Sequence, residues 1–176
     1  MDAAHFVHGA FLGSVWAPAR LFVPSPSGRQ RFNVLGAINP IGEQIITVEE
    51  DKYINTESVI LIMRKIRNSE DITKEIIIFL DNVSYQRNQR VKDEAKKLNI
   101  KLKFLPTYSP NLNLIERLWK FVKNEFLYSI YYEKYKDFKS ALSNGINNCY
   151  KEHKNSLKSL LSFKFQSFRK VNISSF

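Results

Sequence analysis

The sequence predicts a mixed α/β domain, and three observations carry that expectation. The first is Ile76-Ile77-Ile78-Phe79-Leu80, an unbroken apolar run closed by Asp81, the pattern of a short central strand buried on both faces. The second is a pair of strand-like segments, 31–38 and 44–50, on either side of the turn Asn39-Pro40-Ile41-Gly42, which together read as a hairpin. The third is the alternation that follows: helical spacing, strand, helical spacing, strand, helical spacing. Strand–helix–strand units joined in this way call for right-handed crossovers and a largely parallel core beside the hairpin.

Each element has its own local reason. In 31–38, Phe32, Val34 and Ile38 fall on one face. Asn55-Thr56 offers a helix cap, and Val59, Ile62, Met63 and Ile66 recur at helical spacing behind it. The strand over 75–81 follows. Val91, Ala95 and Leu98 define the inner side of the next helix, whose outer side carries Arg90, Lys92, Lys96 and Lys97. A strand over 101–105 leads to a Pro-punctuated loop and a helix over 111–127. That helix should bury Leu112, Ile115, Leu118, Trp119, Val122 and Phe126, with Asn113, Glu116, Lys120 and Lys123 on its polar side. Phe138, Ala141, Leu142, Ile146 and Cys149 form one further helical stripe, and Leu157, Leu161, Phe165 and Phe168 another.

At 176 residues and 44% hydrophobic content the chain is long enough for one good core. It has no apolar run of membrane-spanning length and no signal-peptide pattern, and its one cysteine, Cys149, fits a reducing, cytoplasmic setting. Charge is uneven. Residues 1–100 hold 13 Lys and Arg against 12 Asp and Glu, whereas residues 101–176 hold 14 against 5. A solvated basic face would explain the excess, and so would a polyanion, because neutralising phosphates is the sequence-independent part of nucleic-acid affinity.

Asp81 and Glu116 are the candidate site. A carboxylate at the end of a buried strand is held by rigid backbone at the edge where ligands reach open α/β sheets. Glu116 arrives on the second turn of the helix that the Pro-rich loop opens. Taken alone, Asp81 could bond nearby backbone and Glu116 could pair with Lys120. Together, acids delivered by a strand and a helix suit a hard, oxygen-seeking cation such as Mg²⁺. Glu49, Glu50 and Asp51 rank below them as an exposed strand end, and His5 and His8 as loop histidines without a zinc-site complement. Tyr128, Tyr131, Tyr132 and Tyr135, interleaved with Lys134 and Lys136, could stack on bases, although core packing accounts for part of the stripe.

Three blocks resemble the DDE transposases of the mariner-like superfamily, in its bacterial insertion-sequence branch. They are Met1-Asp2-Ala3-Ala4-His5-Phe6-Val7, Phe79-Leu80-Asp81-Asn82, and residues 105–119, with 34 residues separating Asp81 from Glu116. The resemblance implies an RNase H-like mixed sheet flanked by helices over residues 1–127, followed by a helical, basic extension over 128–176. It also implies a catalytic and metal-binding trio of Asp2, Asp81 and Glu116 that holds two Mg²⁺ or Mn²⁺ ions, with Asp81 between them. Two ions roughly 3.5–4 Å apart can stabilise the attacking and leaving oxygens of an in-line displacement at phosphorus. The implied reaction is metal-dependent DNA strand cleavage and strand transfer in transposition. The implied partner is DNA (transposon ends and target), with a homo-oligomer and a nucleoid-associated location as further expectations.

The sequence departs from the family at several points. Where the loop usually reads Pro-Pro-Tyr-Ser-Pro-Asp-Leu-Asn-Pro-Ile-Glu, this chain has Thr107, Asn111 and Leu114 in place of Pro, Asp and Pro, and Gln86 stands where many relatives carry His. The family's first strand would end at Asp2, which only Met1 precedes, so most of that strand is expected to be missing and activity to be low. Two other readings stay open. One is an inactive, truncated transposase acting as a non-specific DNA-binding module, and the other is an RNase H-like nuclease of another lineage. Metal-dependent cleavage separates the first from the enzyme, and substrate preference separates the second.

Overall fold

The structure, a computed structural model, describes residues 1–9, 17–19, 22, 30–106 and 112–163. Strands β1 (Asp2–Val7), β2 (Arg31–Asn39) and β3 (Gln44–Glu50) form an antiparallel sheet in that order. Helix α1 (Thr56–Asn68) leads to β4 (Ile76–Leu80), and α2 (Gln89–Lys97) leads to β5 (Ile100–Phe104), which lies parallel to β4. Helices α3 (Leu114–Phe126), α4 (Tyr135–Glu152) and α5 (Lys154–Leu160) complete the mixed α/β fold. A bond from the Met1 nitrogen to the Phe79 carbonyl at 2.7 Å links the two strand groups and sets the start of β1 beside the end of β4. No helix among the described residues is long and apolar enough to cross a membrane.

The hairpin closes as its turn chemistry demands. Asn39 pairs with Gln44, and the Asn39 Oδ1 accepts from the Gly42 N–H at 3.0 Å. The predicted cap of α1 is present: Asn55 Oδ1 accepts from the N–H groups of Glu57 (2.9 Å) and Ser58 (3.2 Å), which satisfies two of the orphan donors of the first turn.

Strand alternation sends side chains to two cores on opposite faces. Leu35 and Val48 join Val59, Ile62, Met63, Ile78, Leu80, Val91 and Ala95 beneath α1 and α2. Ala4, Phe6, Phe32 and Val34 join Ile115, Leu118, Trp119 and Val122 of α3 with Phe138, Leu142, Ile146 and Leu157 of α4 and α5. The basic C-terminal half therefore supplies the helices over one face of the β1–β3 sheet.

Several expectations need correction. β4 is not buried on both faces: Ile78 and Leu80 are buried, but Ile77 is 48% and Phe79 56% exposed. Helices α1 and α2 cover only the first of these faces, and on the other the in-register partners are Lys101 and Lys103, which favour water. Asp2 does not close a strand; it opens one, since Ala4 and Phe6 alternate into the core and carry β1 onward to Val7. The helix expected over 111–127 starts at Leu114, because Asn113 is extended (φ −93°, ψ 97°). Leu112 consequently lies outside it and is 44% exposed, and Glu116 falls in the first turn, not the second. Thr107, Asn111, Phe165 and Phe168 lie outside the described residues.

Candidate active site

The same alternation builds the acidic cleft. Asp2 shares its strand parity with Ala4 and Phe6, both packed in the core that holds α3. Asp81 follows Leu80 and continues the parity of Ile77 and Phe79, the face turned away from α1 and α2. Both carboxyl groups therefore emerge at the α3 side, where the Met1–Phe79 bond brings their strands together.

Asp81 lies close enough to Asp2 to act on its carboxyl. Burial, chiefly, pushes the Asp2 carboxyl up from 3.8 to about 6; a bond from the Ala3 N–H opposes the shift, and the Asp81 charge and hydrogen bond add to it. The Tyr85 hydroxyl is raised as well, by burial first and then by the charges of Asp2 and Asp81. Glu116 is exposed in the first turn of α3, yet its carboxyl is raised by partial burial and by the Asp81 charge. The three acids thus share one electrostatic neighbourhood. Among the described residues, however, no three His, Cys, Asp or Glu side chains converge closely enough to hold a metal ion as they stand.

The pair nonetheless fits a divalent cation. Two acids this close, one holding its proton well into the range where carboxylates are normally ionised, relieve their repulsion when a cation replaces that proton. Carboxylate oxygens alone are a donor set for Mg²⁺ or Mn²⁺.

Sequence reasoning placed Asn113 on the polar side of a helix, and the structure gives it another place. It is buried, and its Nδ2 donates to Asp81 Oδ1 at 3.0 Å. The signal was a side chain of N-cap type three residues before Glu116, ahead of an apolar periodic run.

The lower-ranked candidates have structural partners. Glu49 accepts from Ser143 (2.6 Å), Glu50 from Ser58 (3.1 Å), and Asp51 from Lys139 (2.6 Å) and Tyr135 (3.2 Å). His5 bonds Asn33 and buried His8 bonds the Tyr132 carbonyl. Tyr132 and Tyr135 donate to the carbonyls of Phe126 and Arg31, while Tyr128 and Tyr131 remain 54% and 40% exposed.

Gln86 is fully buried, and neither its Oε1 nor its Nε2 has a hydrogen-bond partner among the described residues. Desolvating such groups unpaired costs about 1–3 kcal/mol. Gln86→Met, similar in volume and unbranched, is therefore expected to raise the melting temperature. A lower melting temperature for that variant would show that the amide has a partner outside the described residues.

The family of DDE superfamily endonucleases matches residues 1–139. The uncharacterized protein y4pE/y4sA of Sinorhizobium fredii (strain NBRC 101917 / NGR234) is 29% identical over 85 residues, which make up 48% of this chain and 61% of that protein. Among solved structures, the fold is similar to a chain of the Mos1 strand transfer complex (TM-score 0.62, 14% identity, 93% of this chain and 54% of that one). A chain of the Mos1 mariner paired end complex with Mn is similar too (TM-score 0.63, 15% identity, 91% and 52%). At these identities the likeness is one of fold. The chain spans about half the length of these solved chains.

Proposed function

The chain belongs to the DDE superfamily endonucleases, and from that premise we propose that it is the catalytic part of a transposase, of RNase H-like architecture, which cuts and joins DNA strands with divalent metal ions. The observation that carries this reading is the Asp2–Asp81 pair at the meeting of β1 and β4, with Glu116 inside the field of Asp81. Asp2, Asp81 and Glu116 would hold the ions. When bound, Mg²⁺ or Mn²⁺ supplies Lewis-acid stabilisation of charge on the oxygens around phosphorus.

The chain's own residues have the remaining tasks. Asp2 must give up its proton before it can ligate, so binding is disfavoured below about pH 6, where that carboxyl is protonated. The rigid end of β4 fixes Asp81. Lys120 and Lys123, exposed on the same helix as Glu116, and the exposed Lys136 and Lys151 of α4 offer phosphate contacts.

A second reading, a DNA-binding module without catalysis, is favoured by the basic excess of residues 101–176, 14 Lys and Arg against 5 Asp and Glu, which binding alone would use. Plasmid DNA incubated with this chain and Mn²⁺ or Mg²⁺ decides between them. Metal-dependent nicking that disappears in Asp81→Asn and Glu116→Gln, with DNA binding retained, is the expected result. Binding with no nicking at any metal concentration would leave the module reading standing and end the enzymatic one.

A further inference from the structure

We infer that Asn113 is a positioning residue that holds the Asp81 carboxylate in the orientation needed for metal binding and ties it to the start of the helix bearing Glu116; the inference rests on the metal-dependent reading above. Asn113 occupies the N-cap position of α3, where an Asn side chain ordinarily accepts from the backbone N–H groups of the first turn. Here it makes no such cap bond. Its backbone carbonyl accepts from the Glu116 N–H at 3.1 Å, while its side-chain amide turns away and donates to Asp81 Oδ1 at 3.0 Å. A residue well suited to capping its own helix has been diverted to a carboxylate 32 positions upstream.

The chemistry of the donor explains the use of an amide. Asp81 lies close to Asp2, so a second acid at position 113 would add to the repulsion there. A lysine or arginine would neutralise Asp81 and compete with a cation. A neutral N–H donor fixes one oxygen, and with it the rotation of the carboxyl plane, without taking over the charge. Because Asn113 is buried (6% exposed), the bond is sheltered from water. The same residue begins the turn that carries Glu116, so the bond also sets the distance between β4's end and α3. Outer-shell partners of this kind typically alter metal affinity about 10–100-fold when removed.

Mn²⁺ titration of the wild-type chain and of Asn113→Ser supplies the test. Serine is too short to reach Asp81, so the positioning bond is lost, and as a favoured N-cap residue it does not weaken the start of α3. We expect Asn113→Ser to bind Mn²⁺ at least about tenfold more weakly with an unchanged far-UV circular dichroism spectrum. In an Asp81→Ala background the same substitution should change neither the residual affinity nor the melting temperature through this bond. Wild-type binding that Asn113→Ser matches within about twofold overturns the positioning role alone. No Mn²⁺ binding by the wild type overturns the metal reading and this inference with it. Should Asn113→Ser fail to fold, the wild type decides by NMR. Its Asn113 side-chain amide signals must be among the first broadened by paramagnetic Mn²⁺, and amide signals that stay sharp at saturation overturn the inference.

Discussion

Asp2→Asn is expected to melt higher than the parent chain at pH 7 without metal, and to show no metal-dependent DNA cleavage. In the folded chain the Asp2 carboxyl titrates near 6 against 3.8 ordinarily, because burial and then Asp81 oppose its charge. Ionising it at neutral pH therefore costs on the order of 2–3 kcal/mol relative to the unfolded chain. An amide in its place removes that cost and can donate to Asp81. For a chain of this size the gain corresponds to roughly 5–10 °C. The pH dependence has a definite sign. Between about pH 4 and 6 the folded chain keeps a proton that the unfolded chain has released, so the contribution of Asp2 is most favourable below about pH 4 and is lost as the pH rises through about 6. The stability difference between variant and parent should open over that range and level off above it. Saturating Mn²⁺ should stabilise the parent and leave the variant nearly unchanged. Equal melting temperatures at pH 7 would show that the two aspartates do not strain the metal-free fold.

Gly36→Ala should destabilise the chain by about 1–3 kcal/mol and displace Glu116. A Cβ on Gly36 would lie 2.6 and 2.7 Å from two ring carbons of Trp119 and 3.1 Å from Ile115 Cδ1. Trp119 is 5% exposed and stands edge-on to Phe6 with ring centroids 6.2 Å apart, so the indole has little room to swing away. The remaining adjustment is for α3 to lift from β2. Ile115 and Trp119 flank Glu116 on that helix, and Gly36 pairs with Asp2 across the β1–β2 ladder. One methyl group thus presses on two of the proposed ligands from beneath. Thermal melts of Gly36→Ala, Trp119→Leu and the double variant provide the check. The smaller leucine should accommodate the new methyl, so the double variant should be more stable than the sum of the single effects allows. Strict additivity would show that the glycine is not there to admit the indole.

Much of the fold was legible because its signals are local. The hairpin depends on the turn at Asn39–Gly42 and on β-type alternation, and α1 on its Asn55 cap and periodic apolar face; both stand where the sequence puts them. The run Ile76 to Leu80 announced a strand correctly, but not its environment. Whether Ile77 and Phe79 are covered depends on what packs above them, and a short apolar run carries no record of that. β1 is not evident as a forward strand because its alternating stretch is short, and its pairing with β2 lies more than twenty residues away.

The site divides along the same line. Sequence by itself determined the kinds of groups available: an acid ending an apolar strand, an acid opening an amphipathic helix, and the motif blocks that place the chain in its family. The tertiary structure added that Asp81 acts on the buried Asp2 carboxyl, that its charge reaches Glu116, and that Asn113 turns from its own helix to Asp81. The physical reason is that residue type and periodicity are fixed by neighbours along the chain. Proton sharing, repulsion and the direction of a buried amide arise between groups tens of residues apart, and exist only once β1, β4 and α3 have been brought together.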